Sequence, residues 1–262
     1  DSSFGWRFTN PKMEELYGTD SMGKTAENLV EKYNISREDQ DKFAYNSHMK
    51  AYQAQCDGKF KEEIISVIIP QRKKEDIIFS NDEFIKPNTT LELLAKLRPA
   101  FKEKGSVTAG NSSGLNDGAA AMLIASENAL AKHKLTPLAR IVSSAVIGVE
   151  PKIMGIGPVK ASLKALEKAK LTLKEIDVIE INEAFSAQAL ACIRELGLKD
   201  DDRRINSNGG AIALGHPLGV SGTRIIHAAA LELKRSEKKY ALIAMCIGVG
   251  QGYATIIENT QI

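Results

Sequence analysis

The spacing of apolar positions changes along this chain. Through the first hundred or so residues they are scattered among charged and amide side chains, so this stretch reads as helical in places and poor in long strands. Ser36 with Asp39 three residues on has the form of a helix cap, and predicts a helix to about Cys56 that ends near Gly58. Ile64 to Pro70 is a short β-branched run, read as a strand, and the charged QRKKED at 71–76 is a solvated loop. Leu91 to Arg98 reads as a short helix stopped by Pro99. At Gly105 the character changes. VTAGNSSGLNDG packs turn-forming residues between a short strand and the apolar AAAMLIA at 119–125, where a sheet is predicted to begin. Ser126 caps a helix, SENALAKH, that Pro137 closes off.

After Leu138 strand and helix alternate: LARIVSSAVIGV, then VKASLKALEKAK with Val159, Leu163 and Leu166 on one face, then IDVIEI, then AFSAQALACIREL. This is the alternation of βαβ units. A glycine-rich segment at 206–222, NSNGGAIALGHPLGVSG, feeds the helix GTRIIHAAALEL and two closing strands, YALIAMC and YATIIE. The glycine turn between those strands predicts that they pair antiparallel. A layered α/β domain over about 135–262 follows.

Composition narrows the function classes. The 262 residues are 43% apolar and 26% charged, enough for one large or two modest domains. A net charge of +2 gives no field that would favour nucleic acid or a membrane surface, so any anion site is local. Runs such as Tyr240 to Ile247 are far short of the roughly 20 apolar residues of a spanning helix. No secretory signal pattern opens the chain, so the expectation is a soluble protein of the cytoplasm. Cys56, Cys192 and Cys246, odd in number and widely spaced, argue against a disulfide framework or a metal cluster. The opening on Asp1, without methionine, cap or strand lead-in, reads as a fragment or a processed chain.

Three stretches put reactive side chains at strand ends or in glycine turns, where backbone can approach a ligand. The first is Asn182-Glu183-Ala184-Phe185, directly after IDVIEI. Its amide can hold a water or a carbonyl oxygen, although Asn182 alone reads first as a helix cap. The second is Gly215-His216-Pro217, whose imidazole can act as a base or an oxyanion donor. His48, His133 and His227 carry no such context and are read as inert. The third is Cys246-Ile247-Gly248-Val249-Gly250. Its cysteine is either a core thiol or an acid–base group, and the Gly248 N–H is a possible oxyanion donor, a kind of contact worth roughly 3 kcal/mol of barrier.

NEAF, GGAIALGHPLGVSG and CIGVGQG, in that order and on those elements, resemble the C-terminal half of the thiolase family. Upstream, residues 20–44 and 94–121 resemble that family's substrate-covering loop domain, and the opening DSSFGWRFTNPKMEELYGTDSMG is most similar to its 3-oxoadipyl-CoA and acetoacetyl-CoA branches. The resemblance implies a layered α-β-α fold with a complete C-terminal half-domain and a loop domain, most of the N-terminal half-domain being absent. The division would be 1–115 loop domain, 116–134 a residual strand and helix, and 135–262 the C-terminal half-domain. It implies an acyl-CoA C-acyltransferase that condenses acetyl-CoA or thiolyses 3-oxoacyl-CoA, with CoA thioesters as substrates, no resident cofactor or metal, no nucleic-acid or membrane partner, and assembly as a homo-oligomer.

By position, the resemblance implies that His216 activates the nucleophile and donates to the thioester oxygen. Asn182 would hold the water of that first oxyanion hole, Cys246 would move the α-carbon proton, and Gly248 would supply an amide of the second hole. Ser113 and Ala109 would line the pantetheine channel, and Met22, Phe101 and Phe185 the acyl pocket. Lys86 stands where many relatives have an arginine near the CoA nucleotide, and a compact ammonium gives no flat surface for stacking. The family's acylated cysteine has no counterpart here, since Cys56 and Cys192 fall inside helices, so the chain alone is expected not to complete thiolysis and to expose apolar faces. Two other readings share features: a ketoacyl synthase relative, which would carry His or Asn at position 246, and a non-catalytic CoA-binding protein of the same fold. A dinucleotide-binding site fails on context, because the GVGQG glycines lead into a strand and not a helix.

Overall fold

The computed structural model describes residues 6–261; Asp1 to Gly5, which head the DSSFGWRF stretch and the expected loop domain, lie outside the described residues. Helices dominate the first third: α1 (Pro11–Tyr17), α2 (Met22–Tyr33), α3 (Arg37–Cys56) and α4 (Leu91–Ala95). The start of α3 is fixed as its sequence predicts, the Ser36 hydroxyl accepting from the Asp39 N–H at 3.0 Å. Between α3 and α4 stands an antiparallel hairpin, β1 (Val67–Ile69) with β2 (Ile77–Phe79). The second of these strands has no forerunner in the sequence reading.

Residues 119–125 are not a strand. They run without regular structure and largely exposed before α5 (Glu127–His133), because among the described residues no strand lies beside them to complete a backbone ladder. The sheet begins instead at β3 (Ala139–Gly148). After it come α6 (Gly157–Ala169), β4 (Val178–Ile181), α7 (Ser186–Glu195), the single turn α8 (Ala211–Leu214), α9 (Leu218–Ser236), β5 (Tyr240–Ile247) and β6 (Gln251–Asn259). The order in the sheet is β3-β6-β5-β4. β4 and β5 are parallel, joined through helices, and the β5–β6 glycine turn gives the expected antiparallel pair.

Helices cover both faces. On one, Ile179, Ile181, Leu242 and Ile256 pack with Val159, Leu166, Leu190 and Ile193 of α6 and α7, and with Leu29 of α2. On the other, Val178, Ile243 and Ile257 meet Ile225, Ala229 and Leu233 of α9. Leu163 does not share the inward face of α6, where Val159, Ser162, Ala165 and Leu166 point; it is exposed, an i+4 position rotated past the edge of the stripe. This three-layer α/β stack suspends the carboxyl ends of two buried parallel strands, where open α/β sheets place their ligands.

Candidate active site

The Asn182 N–H donates to Ala244 O at 3.0 Å, extending the β4–β5 ladder beyond its last paired residues, Ile181 and Ala244. Asn182 and Cys246 therefore stand at neighbouring strand ends. Cys246 faces Gly252 across β5–β6, and the chain then reverses through Val249 (φ 68°) and Gly250 (φ 92°). That reversal sets Gly248 at the sheet's rim, where the Met22 sulfur lies 4.0 Å from the position a side-chain carbon would take.

His216 reaches the same rim from the other side. Gly215 adopts φ 85° against the Asn116 side chain, and the His216 N–H donates to Gly114 O at 3.1 Å, seating the loop on residues 114–116. The imidazole Nε2 lies 3.4 Å from Asn182 Nδ2, and Nδ1 lies 2.6 Å from Ser221 Oγ on the first turn of α9. Asn182 is no helix cap: the residue flanking α7 is Phe185, and the Asn182 amide turns to the imidazole. Its Oδ1 is buried without a protein partner, free to hold a water.

Glu183 holds this corner together. Its buried carboxylate accepts from Ser47 Oγ of α3 at 2.6 Å, from Asn206 Nδ2 at 2.7 Å and from the Ile212 N–H at 3.2 Å. Gly210 passes so close that any side-chain carbon there would overlap the carboxylate. One acid thus ties α3, the end of β4 and the glycine-rich loop into a single block, a role invisible in the NEAF string itself.

Burial sets the protonation of the reactive groups. It pulls the His216 pKa below its ordinary value, the Arg224 guanidinium adding to the effect, so the ring is neutral at pH 7 and able to accept a proton. Burial pushes the Cys246 thiol up to about 12, so it rests protonated. Cys192 is fully buried, its pKa raised by desolvation, and its thiol donates to Gly155 O at 3.1 Å. Cys56 is exposed at the end of α3.

The remaining candidates split into two groups. The Ser113 N–H donates to Ala184 O at 3.0 Å and Ser112 bridges to Phe185, so the loop carrying exposed Ala109 lies alongside the NEAF turn. Phe101 meets Phe185 edge-on with centroids 5.9 Å apart, its ring covering Gly23 beside Met22. Lys86 sits apart, its ammonium 5.0 Å from the Phe84 ring centre and its N–H on His48 Nδ1 at 3.2 Å. Phe84 in turn abuts Gly114, which sets Lys86 outward of the 109–114 loop. His48 is a buried acceptor whose pKa falls to about 4, mainly by desolvation.

Sequence reasoning missed Ser221, Glu183, and the trio Trp6, Tyr17 and Lys152, which line a small pocket with Met22 and Val249. Ser221 lies just before the predicted helix GTRIIHAAALEL, and extending that helix back to Leu218 would have put its hydroxyl on the first turn. A cleft of about 250 Å³ lined by Phe43, Lys50, Glu183, Asp200 and Arg203 includes none of His216, Asn182 or Cys246.

A family model described as "Thiolase, C-terminal domain" matches residues 135–259, and one described as "Thiolase, N-terminal domain" matches residues 7–128. The second match corrects the expectation that the resemblance is confined to a C-terminal portion with the N-terminal domain mostly absent. Residues 7–128 carry that domain's pattern in helices, a hairpin and loops, and the lack of sheet periodicity disguised it. A beta-ketoadipyl-CoA thiolase of Acinetobacter baylyi is 57% identical over 259 residues, 99% of this chain and 65% of the relative. A probable acetyl-CoA acyltransferase of Staphylococcus epidermidis is 47% identical, over 100% of this chain and 68% of the relative. The crystal structure of human mitochondrial 3-ketoacyl-CoA thiolase in complex with CoA superposes with a TM-score of 0.86 at 51% identity, covering 92% of this chain and 59% of that one. The chain spans about two thirds of the length of the curated relatives it matches.

Proposed function

The chain belongs to the thiolase family, and from that premise we propose that it serves acyl-CoA C-acyltransfer, the condensation of acetyl-CoA or the thiolysis of a 3-oxoacyl-CoA. Relatives named for 3-oxoadipyl-CoA favour a 3-oxodicarboxylyl thioester as the longer substrate. One observation carries the reading: the His216 imidazole and the Asn182 amide meet at 3.4 Å beside the strand end that bears Cys246. In this reading CoA is a substrate and not a resident cofactor, residues 1–115 cover the site as a loop domain over 135–262, and copies assemble as a homo-oligomer in the cytoplasm.

The chemistry follows from the protonation states. Neutral His216 takes the proton of the attacking thiol at Nε2; that sulfur bonds to the 3-oxo carbon, the bond from that carbon to the α-carbon breaks, and the imidazolium donates to the thioester oxygen of the enolate so released, helped by a water on Asn182. An enolate formed at the α-carbon has its oxygen held there. Cys246, resting as a thiol, hands its proton to the enolate carbon in the thiolytic direction; in condensation its thiolate takes that proton back. The Gly248 N–H serves the second carbonyl oxygen. Ser113 and Ala109 line the pantetheine path and Met22, Phe101 and Phe185 the acyl pocket, with Lys86 towards the nucleotide. Neither exposed Cys56 nor bonded Cys192 is placed for acylation. Thiolysis by the chain alone is therefore expected at the level of a His216→Ala control.

The α-proton step needs only groups within these residues. In D2O the chain should wash deuterium into the methyl group of acetyl-CoA above the buffer rate, and Cys246→Ala or His216→Ala should remove the excess. Because the thiolate fraction of a group with pKa about 12 grows tenfold per unit at lower pH, the rate should climb without a plateau from pH 7 to 9. No exchange above the Cys246→Ala level at any pH would defeat this reading.

A further inference from the structure

The two edges of the His216 ring face groups of fixed hydrogen-bonding sense. Ser221 is fully buried, and its hydroxyl has one hydrogen to give. Its oxygen lies 3.2 Å from Pro217 O, a carbonyl that only accepts, in the back-bond a helical serine makes to the preceding turn. With the hydrogen committed there, Ser221 Oγ meets His216 Nδ1 at 2.6 Å as an acceptor, so Nδ1 carries a hydrogen. On the far edge the NH2 of Asn182 points at Nε2 from 3.4 Å, a donor that requires a lone pair. Both contacts select one tautomer.

We infer that Ser221 is a positioning residue that holds His216 as the Nδ1–H tautomer, with the Nε2 lone pair turned towards Asn182 and the strand end of Cys246. The catalytic meaning of that orientation rests on the function proposed above; the orientation itself does not. Pro217, extended, flanks the start of α9 and links the ring's loop to the helix turn that carries Ser221. Arg224 lies further along the same helix with Nε and Nη2 buried and unpartnered, a cation that disfavours a second proton on the imidazole. Glu63, Asp82 and Glu180 surround Arg224 without completing its hydrogen bonds. Without the Ser221 oxygen, the Nδ1–H would be buried with no acceptor, and the proton would move to Nε2, where it blocks the base.

The test is 15N spectroscopy of the histidine side chains in the 262-residue chain, with His216 assigned by its loss in His216→Asn. The wild type should show a protonated Nδ1 and an unprotonated Nε2 near pH 7. Ser221→Ala should shift the proton towards Nε2, and Ser221→Thr, which keeps the hydroxyl, should restore the first pattern. Acetyl-CoA exchange should fall about 10- to 100-fold in Ser221→Ala with half-saturation unchanged, the range that follows loss of a group orienting a metal-bound imidazole, and recover in Ser221→Thr. A wild-type spectrum with the proton on Nε2, or a Ser221→Ala spectrum like the wild type, overturns the inference. If the wild type shows the expected tautomer but no exchange, the proposed function fails and the inference stands.

Discussion

Branched aliphatic residues meet opposite fates in two regions of this molecule. Val178–Ile181 on β4 is buried at every position, whereas Val67–Ile69 and Ile77–Phe79 of the hairpin are exposed at every position. Ile179 has no solvent exposure and Ile78 retains 67% of its surface. Both segments have the residues of a strand, and both form one. The difference lies above and below them: β4 is covered by α7 on one face and α9 on the other, and the hairpin is covered by neither. Residues 119–124 show the same fate without even forming a strand, with Leu123 77% and Ile124 66% exposed. Covering layers, not apolar content, decide which strand ends are held rigidly enough to aim Asn182 and Cys246.

That contrast can be broken most severely where a layer touches the sheet. A side-chain carbon on Gly252 of β6 would run into the Gly157 backbone that opens α6, and neither main chain can step aside. Gly252→Ala should cost about 1–3 kcal/mol or more, read as a lowered denaturant midpoint, while Gly148→Ala, with nothing in reach, should stay within about 0.5 kcal/mol. Equal effects would mean that the α6 contact does not hold the sheet.

A pH series sharpens the same comparison. Burial raises the Glu180 pKa to about 8, so the folded chain keeps a proton that the unfolded chain releases above its ordinary value near 4.5. The folded state binds the extra proton, hence stability is greatest below that value and is lost as pH rises through about 8. His48 and His216, with lowered pKa values, act in the opposite sense, but their contribution is complete above pH 6.5. Between pH 6.5 and 8 the melting temperature should fall, and Glu180→Gln should flatten the decline. At the uncovered hairpin the smallest effect is expected: Ile78→Thr should change stability by no more than about 0.5 kcal/mol. A larger loss would show that something covers that face.

The same contrast explains what could be read beforehand. Ser36 and Asp39 announced α3, and the glycine turn after Cys246 announced the β5–β6 pair, because caps and turns are local. The NEAF, GHP and CIGVG strings each sit at an element boundary, and the fold brings those boundaries to one rim of the sheet. The run at 119–125 has the composition of a strand and forms none, and Leu163 has the spacing of an inward residue and is exposed, since burial depends on which layers arrive from elsewhere. Glu183 clamps α3 to the glycine loop through partners as far away in sequence as Ser47, and the Trp6–Tyr17–Lys152 wall beside Met22 is likewise assembled from distant segments. No spacing rule reaches that far.

The proposed activity requires that His216, Asn182, Cys246 and Gly248 share one hollow. Titrating acetyl-CoA into the 15N-labelled chain while following backbone amides tests it most directly. Those four amides, with that of Ser113, should shift together along one saturation curve. Shifts gathered instead around Lys50 and Arg203, or separate midpoints for His216 and Cys246, would contradict a single thioester site.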